Sequence, residues 1–372
     1  MSKFFCCKLY NYKNMTIKIL SAYHGDSILV SFGYKNELKH ILIDGGPACA
    51  YESIDKRTKQ KVSGDLKKVI QKIADNGQKI DLLIVTHIDC DHIDGILSWF
   101  EDEKFDKDLI VKVWFNSGST ISEFFNQPVI QENFIAISPY VTRQTGISQG
   151  IQFESLIKES GWDKKLIKSG DIFDFYGLEF YILSPNIENL KKLLVKWNFK
   201  SNTQTSSKST DYERTITELI KNDKFTSDKS IHNGSSIAFL LKWNEKNFLF
   251  LGDAFEETVI ESLKKLGYTT ENKCSAEMVK LSHHGSKANT SLRLLKLIDC
   301  KIYVISTNGE QHGLPDKSCM SRIITMNNNP VLLFNYPKLI TEIFNEIDYR
   351  EHKFTAKPVS LIEYQNDRQY IK

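Results

Sequence analysis

Residues 86–95 read THIDCDHIDG and directly follow the apolar run DLLIVT of residues 81–86. The run predicts a buried strand, because it is short, continuous and rich in Leu, Ile and Val. Two histidines and two carboxylates then fall within six positions, at His87, Asp89, Asp91 and His92. A loop at a strand end can turn several side chains toward one point, and imidazole with carboxylate suits a divalent metal ion. The alternative is a solvated polar loop, which is common after strands.

Two further apolar runs end in residues of the same chemistry. Residues 248–253 read FLFLGD and end in Asp253, and residues 279–286 read VKLSHHGS and contain His283 and His284. Taken singly, each is explained better by a helix-capping aspartate or a surface histidine. Three strand ends with metal-ligand residue types favour one shared site, because ligands gather at one edge of a sheet.

Strand patterns and helix patterns alternate along the chain, and the order repeats in the second half. This predicts an α/β fold with two packed sheets and helices outside. We expect one domain over residues 1–372, with a core of about 16–345 and an insertion of about 186–232. The insertion combines a lysine-rich helix with a polar tract at 201–210, a composition typical of a flexible linker or lid. We expect a lid over the cleft, and the alternative is a surface excursion remote from the site.

Composition excludes several classes of protein. The net charge of +3, from 49 basic and 46 acidic residues in 372, is too small to mark the whole chain as a nucleic-acid binder. Seven cysteines without C-x-x-C spacing argue against a disulfide framework and favour a reducing cytosol. No signal peptide or apolar run of roughly 20 residues is evident, so we expect a cytoplasmic protein without a membrane partner.

The ordered motifs resemble the metallo-β-lactamase fold, an αββα sandwich of two mixed sheets flanked by helices. They are Asp44-Gly45-Gly46, His87-x-Asp89-x-Asp91-His92, Gly252-Asp253 and His283-His284-Gly285-Ser286. Within this fold, the chain is most similar to the hydrolase domain of the ComEC competence proteins. That branch is supported by GDSIL at 25–29, NGSSI at 233–237 and GLP at 313–315.

The resemblance implies a centre for one or two divalent ions. His87 and Asp89 would hold the first ion. The second would be held by Asp91, His92 and one histidine of the His283–His284 pair, with Asp253 bridging. We favour His284 as this ligand and His283 as a contact to the substrate or transition state. Asp44 would support the ligand loops through hydrogen bonds.

The sequence departs from the usual superfamily pattern at the first ion. Asp89 stands where a histidine is usual, and the usual third ligand is absent unless His232 or Asn233 replaces it. Both departures add oxygen ligands, which moves the preference from zinc toward manganese or magnesium. We therefore consider Zn, Mn and Mg, with Mn or Zn favoured.

The implied activity is that of a metal-dependent hydrolase using a metal-bridged hydroxide. We expect Asp91, His283, Asn233 and His312 in the catalytic centre, although a surface-turn histidine explains His312 equally well. The expected function is a phosphodiesterase or nuclease, with nucleic acid or another phosphodiester as substrate. The alternatives are hydrolysis of a lactone, lactam, thioester or phosphorylated head group, and a regulatory module with an incomplete metal site. The resemblance also raises antiviral defence as a biological role.

Overall fold

The structure, a computed structural model, describes residues 14–34, 37–127, 146–198, 210–365 and 368–372. The strands of the first half are β1 (Asn14–Ile19), β2 (Ile28–Tyr34), β3 (Glu37–Ile43), β4 (Glu52–Ile54), β5 (Lys61–Ser63), β6 (Leu82–Ile84), β7 (Val113–Trp114), β8 (Ile172–Phe175) and β9 (Leu178–Ser184). Those of the second half are β10 (Ala238–Trp243), β11 (Lys246–Phe250), β12 (Cys274–Ala276), β13 (Met278–Lys280), β14 (Ile298–Cys300), β15 (Ile302–Ile305), β16 (Val331–Phe334), β17 (Thr355–Pro358), β18 (Leu361–Gln365) and β19 (Arg368–Ile371).

The helices lie between these strands. They are α1 (Ala48–Tyr51), α2 (Asp65–Asp75), α3 (Cys90–Phe100), α4 (Gly118–Phe125), α5 (Gly146–Ile157), α6 (Ile187–Asn198), α7 (Ile216–Lys221), α8 (Ile231–Gly234), α9 (Glu256–Lys265), α10 (Leu292–Leu295), α11 (Lys317–Met326), α12 (Lys338–Ile343) and α13 (Glu346–Glu351). No helix in the described ranges has the length and apolar character needed to cross a bilayer.

Two large mixed sheets organise the chain. The first has the order β19-β18-β1-β2-β3-β6-β7, and the second has the order β17-β16-β15-β13-β11-β10-β9-β8. In the first sheet, β3, β6 and β7 run parallel, whereas β19 through β3 pair antiparallel. In the second sheet, β11, β13, β15, β16 and β17 run parallel. Each sheet therefore gathers the carboxyl ends of its parallel strands at one edge.

Successive side chains along each strand point to opposite faces of its sheet, and this alternation produces the layers. Ile17 and Val30 of the first sheet are buried with Phe239 and Phe248 of the second, in a core between the sheets. The opposite face of the first sheet packs on helices that include α2 and α3, and the opposite face of the second packs on α9 and α11. The layer order is helix, sheet, sheet, helix, which confirms the predicted αββα sandwich.

The first turn of α3 carries part of the metal motif. The helix begins at Cys90, so Asp91 and His92 stand in that turn. In the insertion, a Thr215–Glu218 capping box begins α7 at Ile216. Strands β18 and β19 complete the first sheet beyond residue 345, the expected end of the core.

Residues 186–232 contain α6, α7 and the first part of α8. The Asp223 carboxylate accepts hydrogen bonds from the buried Arg322 guanidinium at 2.6–3.1 Å, and Asp211 accepts from the backbone amides of Lys317 and Ser318. These contacts bind the segment 210–232 to the start and middle of α11. Residues 201–209 of the expected lid lie outside the described residues.

Candidate metal centre

The predicted site residues stand at the carboxyl ends of strands from both sheets. Asp44 follows β3, His87 follows β6, Asp253 follows β11, and His284 follows β13. The loops that follow two strands of the first sheet therefore lie next to the loops that follow two strands of the second sheet. The structure brings together His87, Asp89, Asp91, His92, Asp253, His283 and His284.

Asp44 holds the metal motif in place. Its carboxylate accepts hydrogen bonds from the Thr86 backbone amide and hydroxyl, each at 2.7 Å, and lies 2.8 Å from His92 Nδ1. Glycines permit this approach, because a Cβ on Gly95 would lie 2.0 Å from the Gly45 carbonyl oxygen. The predicted supporting role of Asp44 thus has a direct geometric basis.

Asp253 stands between two groups of side chains. Its Oδ2 lies 3.6 Å from His87 Nε2, and its Oδ1 lies 3.3 Å from His92 Nε2. Asp89 Oδ2 lies 3.7 Å from His87 Nε2 on the first side, and Asp91 Oδ2 lies 3.9 Å from His92 Nε2 on the second. This is the arrangement that a bridging carboxylate requires.

His284, rather than His283, faces the buried side of the centre. His284 Nε2 lies 3.1 Å from Asp91 Oδ2, and its Nδ1 lies 2.9 Å from the carbonyl oxygen of Ser306. His283 and His284 have φ angles of 47° and 55°, in the left-handed region. Non-glycine residues adopt that region at a cost that surrounding structure must offset, and such residues cluster at functional sites.

Asp26, which was not among the predicted site residues, supports His284 from behind. Its Oδ1 lies 3.3 Å from His284 Nδ1, and its Oδ2 accepts a hydrogen bond from the buried Lys280 ammonium at 2.6 Å. Asp26, His92 and His284 each offer an atom within 4.8 Å of the others, and Lys280 engages Oδ2 of Asp26. The GDSIL stretch that contains Asp26 was its only sequence signal.

His283 lies at the mouth of the centre, with a quarter of its side chain exposed. Its Nε2 is 3.8 Å from Asp253 Oδ2, and its Nδ1 is 3.2 Å from Asn289 Oδ1. The Asn233 amide lies 3.4 Å from His283 Nδ1 and donates to Asp228 Oδ2 at 2.8 Å. Asn233, which was predicted to be catalytic, therefore meets the site through His283.

His232 reaches the Asp89 side of the centre. Its Nδ1 lies 2.5 Å from Asp89 Oδ1, and the ring is buried. It comes from α8, which packs against α6, and Lys196 on α6 lies close enough for Asp89 to act on its pKa. The structure therefore selects His232 over Asn233 as the nearer replacement for the histidine missing from the first half of the site.

His312 stands on an exposed turn after β15. Burial lowers the pKa of the half-buried His24. The Asp91 charge raises this pKa by a smaller amount, and His284 and His312 lower it further. As an exposed residue, His312 lies outside the buried ligand cluster. The adjacent GLP stretch has a structural role, since the Asp316 amide donates to the Gly285 carbonyl of the histidine turn.

The donor atoms fit a metal ion. Five of the buried side-chain atoms that have no hydrogen-bond partner among the described residues lie at the centre: Asp26 Oδ1, His87 Nε2, His92 Nε2, His232 Nε2 and Asp253 Oδ1. An unpaired buried polar atom is costly, and one ion can satisfy several at once. His87, His92 and Asp253 each offer an atom within 4.8 Å of the others. These residues could hold a divalent cation.

Mutual electrostatics keep the cluster strongly charged. Burial opposes ionisation of Asp91, but His92 and His284 outweigh it and lower the pKa to about 2. Burial also opposes protonation of His284, but Asp26, Asp253 and Asp91 raise its pKa to about 10. Asp253, Asp44 and Asp91 likewise raise the pKa of His92 against the effect of burial. A cation at the centre would replace these protons.

The chain is similar to a curated relative and to several solved structures. No family model matches the chain. ComE operon protein 3 of Bacillus subtilis (strain 168) is 23% identical over 284 residues, which cover 76% of this chain and 27% of that protein. The chain thus spans about a quarter of the length of that relative.

The solved structures that match the chain include a metallo-β-lactamase fold protein, a diiron enzyme and a Zn²⁺-bound protein. YhfI from Bacillus subtilis is 10% identical, covers 94% of this chain and 99% of that chain, and has a TM-score of 0.40. CmlA, a diiron β-hydroxylase from Streptomyces venezuelae, is 10% identical with coverages of 97% and 54% and a TM-score of 0.41. Zn²⁺-bound PqqB from Methylobacterium extorquens is 9% identical with coverages of 92% and 97% and a TM-score of 0.39. The two mixed sheets, the helices on both outer faces and the histidine–aspartate cluster at the strand ends give this chain the αββα sandwich that the sequence predicts.

Proposed function

We propose that this protein is a metal-dependent phosphodiesterase that acts on nucleic acid or another phosphodiester. The position of Asp253 carries the proposal, because its two carboxylate oxygens face His87 and His92 separately. A carboxylate in this position can bridge two ions, and paired ions recur in phosphatases, nucleases and polymerases.

Each side of Asp253 has its own donor set. His87, Asp89 and His232 would hold one ion, and Asp91, His92 and His284 would hold the other. A bound divalent ion supplies Lewis acidity and lowers the pKa of water to near neutrality. Three carboxylates among the donors favour oxygen-seeking ions, so we rank Mn²⁺ first and retain Zn²⁺ and Mg²⁺.

His283 supplies a proton-transfer group at the mouth. Asn289 Nδ2 donates to Asp228 Oδ2 at 3.1 Å, so Asn289 Oδ1 is the acceptor that faces His283 Nδ1. The Asn233 amide lies farther from His283 Nδ1, at 3.4 Å, so we assign Nδ1 as the donor to Asn289 Oδ1, and Nε2 faces the centre. In the neutral ring this Nε2 accepts a proton, and in the protonated ring it donates one to a leaving oxygen.

The test is an activity panel on chelator-treated protein reloaded with Mn²⁺, Mg²⁺ or Zn²⁺. Its substrates are single- and double-stranded DNA, RNA, bis(p-nitrophenyl) phosphate, a lactone and a thioester. We expect phosphodiester hydrolysis that Asp91→Ala or His92→Ala abolishes without loss of fold, and that the exposed variant Asp75→Ala retains. Lactone or thioester turnover alone would replace the proposal with a small-molecule hydrolase.

A purely regulatory role is less well supported. Such a protein would keep His87 Nε2, His92 Nε2 and Asp253 Oδ1 buried without the ion that satisfies them. Those unpaired buried atoms would lower the stability of the protein and would serve no function. Absence of any metal-dependent turnover in the panel, with full metal binding, would favour this role.

A further inference from the structure

A second concave feature adjoins the candidate metal centre. A cavity of about 390 Å³ opens between α6, α8 and the first turn of α9. Its wall shares the segments that carry the site: Ile231 precedes His232, and Phe255 follows Asp253 by two positions. The Asp228 carboxylate lines the cavity and also lies 3.6 Å from His283 Nδ1. Asp228 therefore contributes both to the wall of the cavity and to the surroundings of His283.

The charge of the rim limits what the cavity can hold. Four carboxylates and two lysines line it: Asp228, Glu188, Glu257, Glu261, Lys192 and Lys229. The excess of negative charge repels a phosphate group. The same carboxylates accept hydrogen bonds from hydroxyl and amino groups. The rim therefore suits a neutral group rich in donors.

The inner wall adds an aromatic surface and a fixed polar floor. Phe255 is half-buried and lines the cavity with part of its ring. Thr258 Oγ1 accepts hydrogen bonds from the amides of Asn186 and Asn189, at 3.4 and 3.3 Å, which orients all three side chains. An aromatic face beside oriented amide groups suits a planar heterocyclic base, and the carboxylates suit sugar hydroxyls.

We propose that this cavity is a subsite for a terminal nucleoside that bears no phosphate on that side. The subsite rests on the proposed phosphodiesterase function and narrows its substrate. The phosphodiester lies over the centre, and the nucleoside on its His283 side enters the cavity. The enzyme thus selects ends of chains or small nucleotide esters over internal sites.

Ser227→Phe tests the subsite by filling it. Ser227 lines the cavity, and its hydroxyl makes only a 3.5 Å hydrogen bond to the adjacent Asp228 carbonyl among the described contacts. Thr226→Phe is the matched control, because Thr226 is exposed and does not line the cavity. The substrates are thymidine 5′-(p-nitrophenyl phosphate) and bis(p-nitrophenyl) phosphate.

For the wild-type protein, we expect kcat/KM to be at least tenfold higher on the thymidine ester. Ser227→Phe should raise KM for that ester at least tenfold with a smaller change in kcat, and Thr226→Phe should change KM less than twofold. An unchanged KM in Ser227→Phe would overturn the subsite. Equal losses of kcat on both substrates would assign Ser227 to support of Asp228 instead.

Binding of thymidine alone separates the subsite from the proposed function. Saturation-transfer NMR on the Mg²⁺-loaded protein should detect thymidine, with the signal lost in Ser227→Phe and kept in Thr226→Phe. If neither ester is hydrolysed, the phosphodiesterase proposal fails, and this binding result still decides the subsite. Equal thymidine signals in both variants would overturn it.

A second variant covers failure of Ser227→Phe to fold. The double substitution Glu257→Ala and Glu261→Ala removes two exposed acceptors from the rim, and Lys264→Ala with Lys265→Ala is its control on the same helix. We expect thymidine binding to weaken at least threefold in the first pair only. No difference between the pairs would contradict the assigned rim contacts.

Discussion

Asp44 Oδ2 lies 2.8 Å from His92 Nδ1, although 48 positions separate the two residues in the chain. The same carboxylate accepts hydrogen bonds from the backbone amide and the hydroxyl of Thr86. One side chain therefore fixes both the ring of a candidate ligand and the loop that carries the motif. With Nδ1 engaged, His92 presents Nε2 to Asp253.

Asp44→Asn should weaken metal binding by about 10- to 100-fold, because a lost supporting contact leaves the ligand ring poorly oriented. Competition with a fluorescent chelator measures this affinity. Asp75→Asn, at the exposed end of α2, is the control and should bind as the wild type does. Equal affinities in the two variants would show that Asp44 does not orient the centre.

His232→Ala should reduce the number of bound ions from two to one. The substitution removes the ring that contacts Asp89, whereas Asp91, His92 and His284 keep their own contacts. Metal analysis after dialysis gives the stoichiometry. Loss of both ions would indicate that the two halves of the centre fill cooperatively, and retention of both would exclude His232 as a ligand.

Metal affinity should rise with pH. Asp26 and the neighbouring carboxylates raise the pKa of His284 to about 10 against the effect of burial, so the ring is protonated at neutral pH in chelator-treated protein. An ion must displace that proton, and each proton released strengthens apparent binding by up to about tenfold per pH unit. Titrations at pH 6, 7 and 8 measure the slope. A flat profile would contradict the assigned charge state.

The shifted pKa values of Asp91 and His284 also determine the pH range over which chelator-treated protein is most stable. The lowered pKa of Asp91 contributes stability above its ordinary value of 3.8, and this stability is lost as pH falls through about 2. The raised pKa of His284 contributes stability below its ordinary value of 6.5, which is lost as pH rises through about 10. Urea unfolding across this range should show declines at both ends. Equal stability at pH 7 and 10 would be the contrary result.

Arg322→Met should lower the free energy of unfolding by roughly 3–5 kcal/mol, the typical cost of leaving one partner of a buried pair uncompensated. The Arg322 side chain is 1% exposed, and it also donates to the carbonyl groups of Lys287 and Thr290. Asp223→Asn in the same chain should recover part of the loss. Urea unfolding gives both values, and a loss below about 1 kcal/mol would mean that the pair does not anchor residues 210–232.

Much of the fold follows from local pattern. The apolar residues 82–85 and 248–251 are buried, because each run is short, continuous and rich in large apolar side chains. Asp253 and His284 lie close together because they follow the parallel neighbours β11 and β13, and His87 reaches them from the end of β6 in the facing sheet. Both effects depend on short stretches of sequence, so the candidate centre could be predicted in outline.

The sequence by itself determined which side chains stand at the strand ends, and with them the order of the motifs and the αββα class. Only the tertiary structure decided that His232 lies beside Asp89, that Asp26 supports His284 through Lys280, and that Asp228 connects His283 to a cavity. These contacts join residues from distant elements, such as α8 with the metal loop. No periodic pattern in the sequence predicts these contacts, because they form when the segments between the strands pack against the assembled sheets.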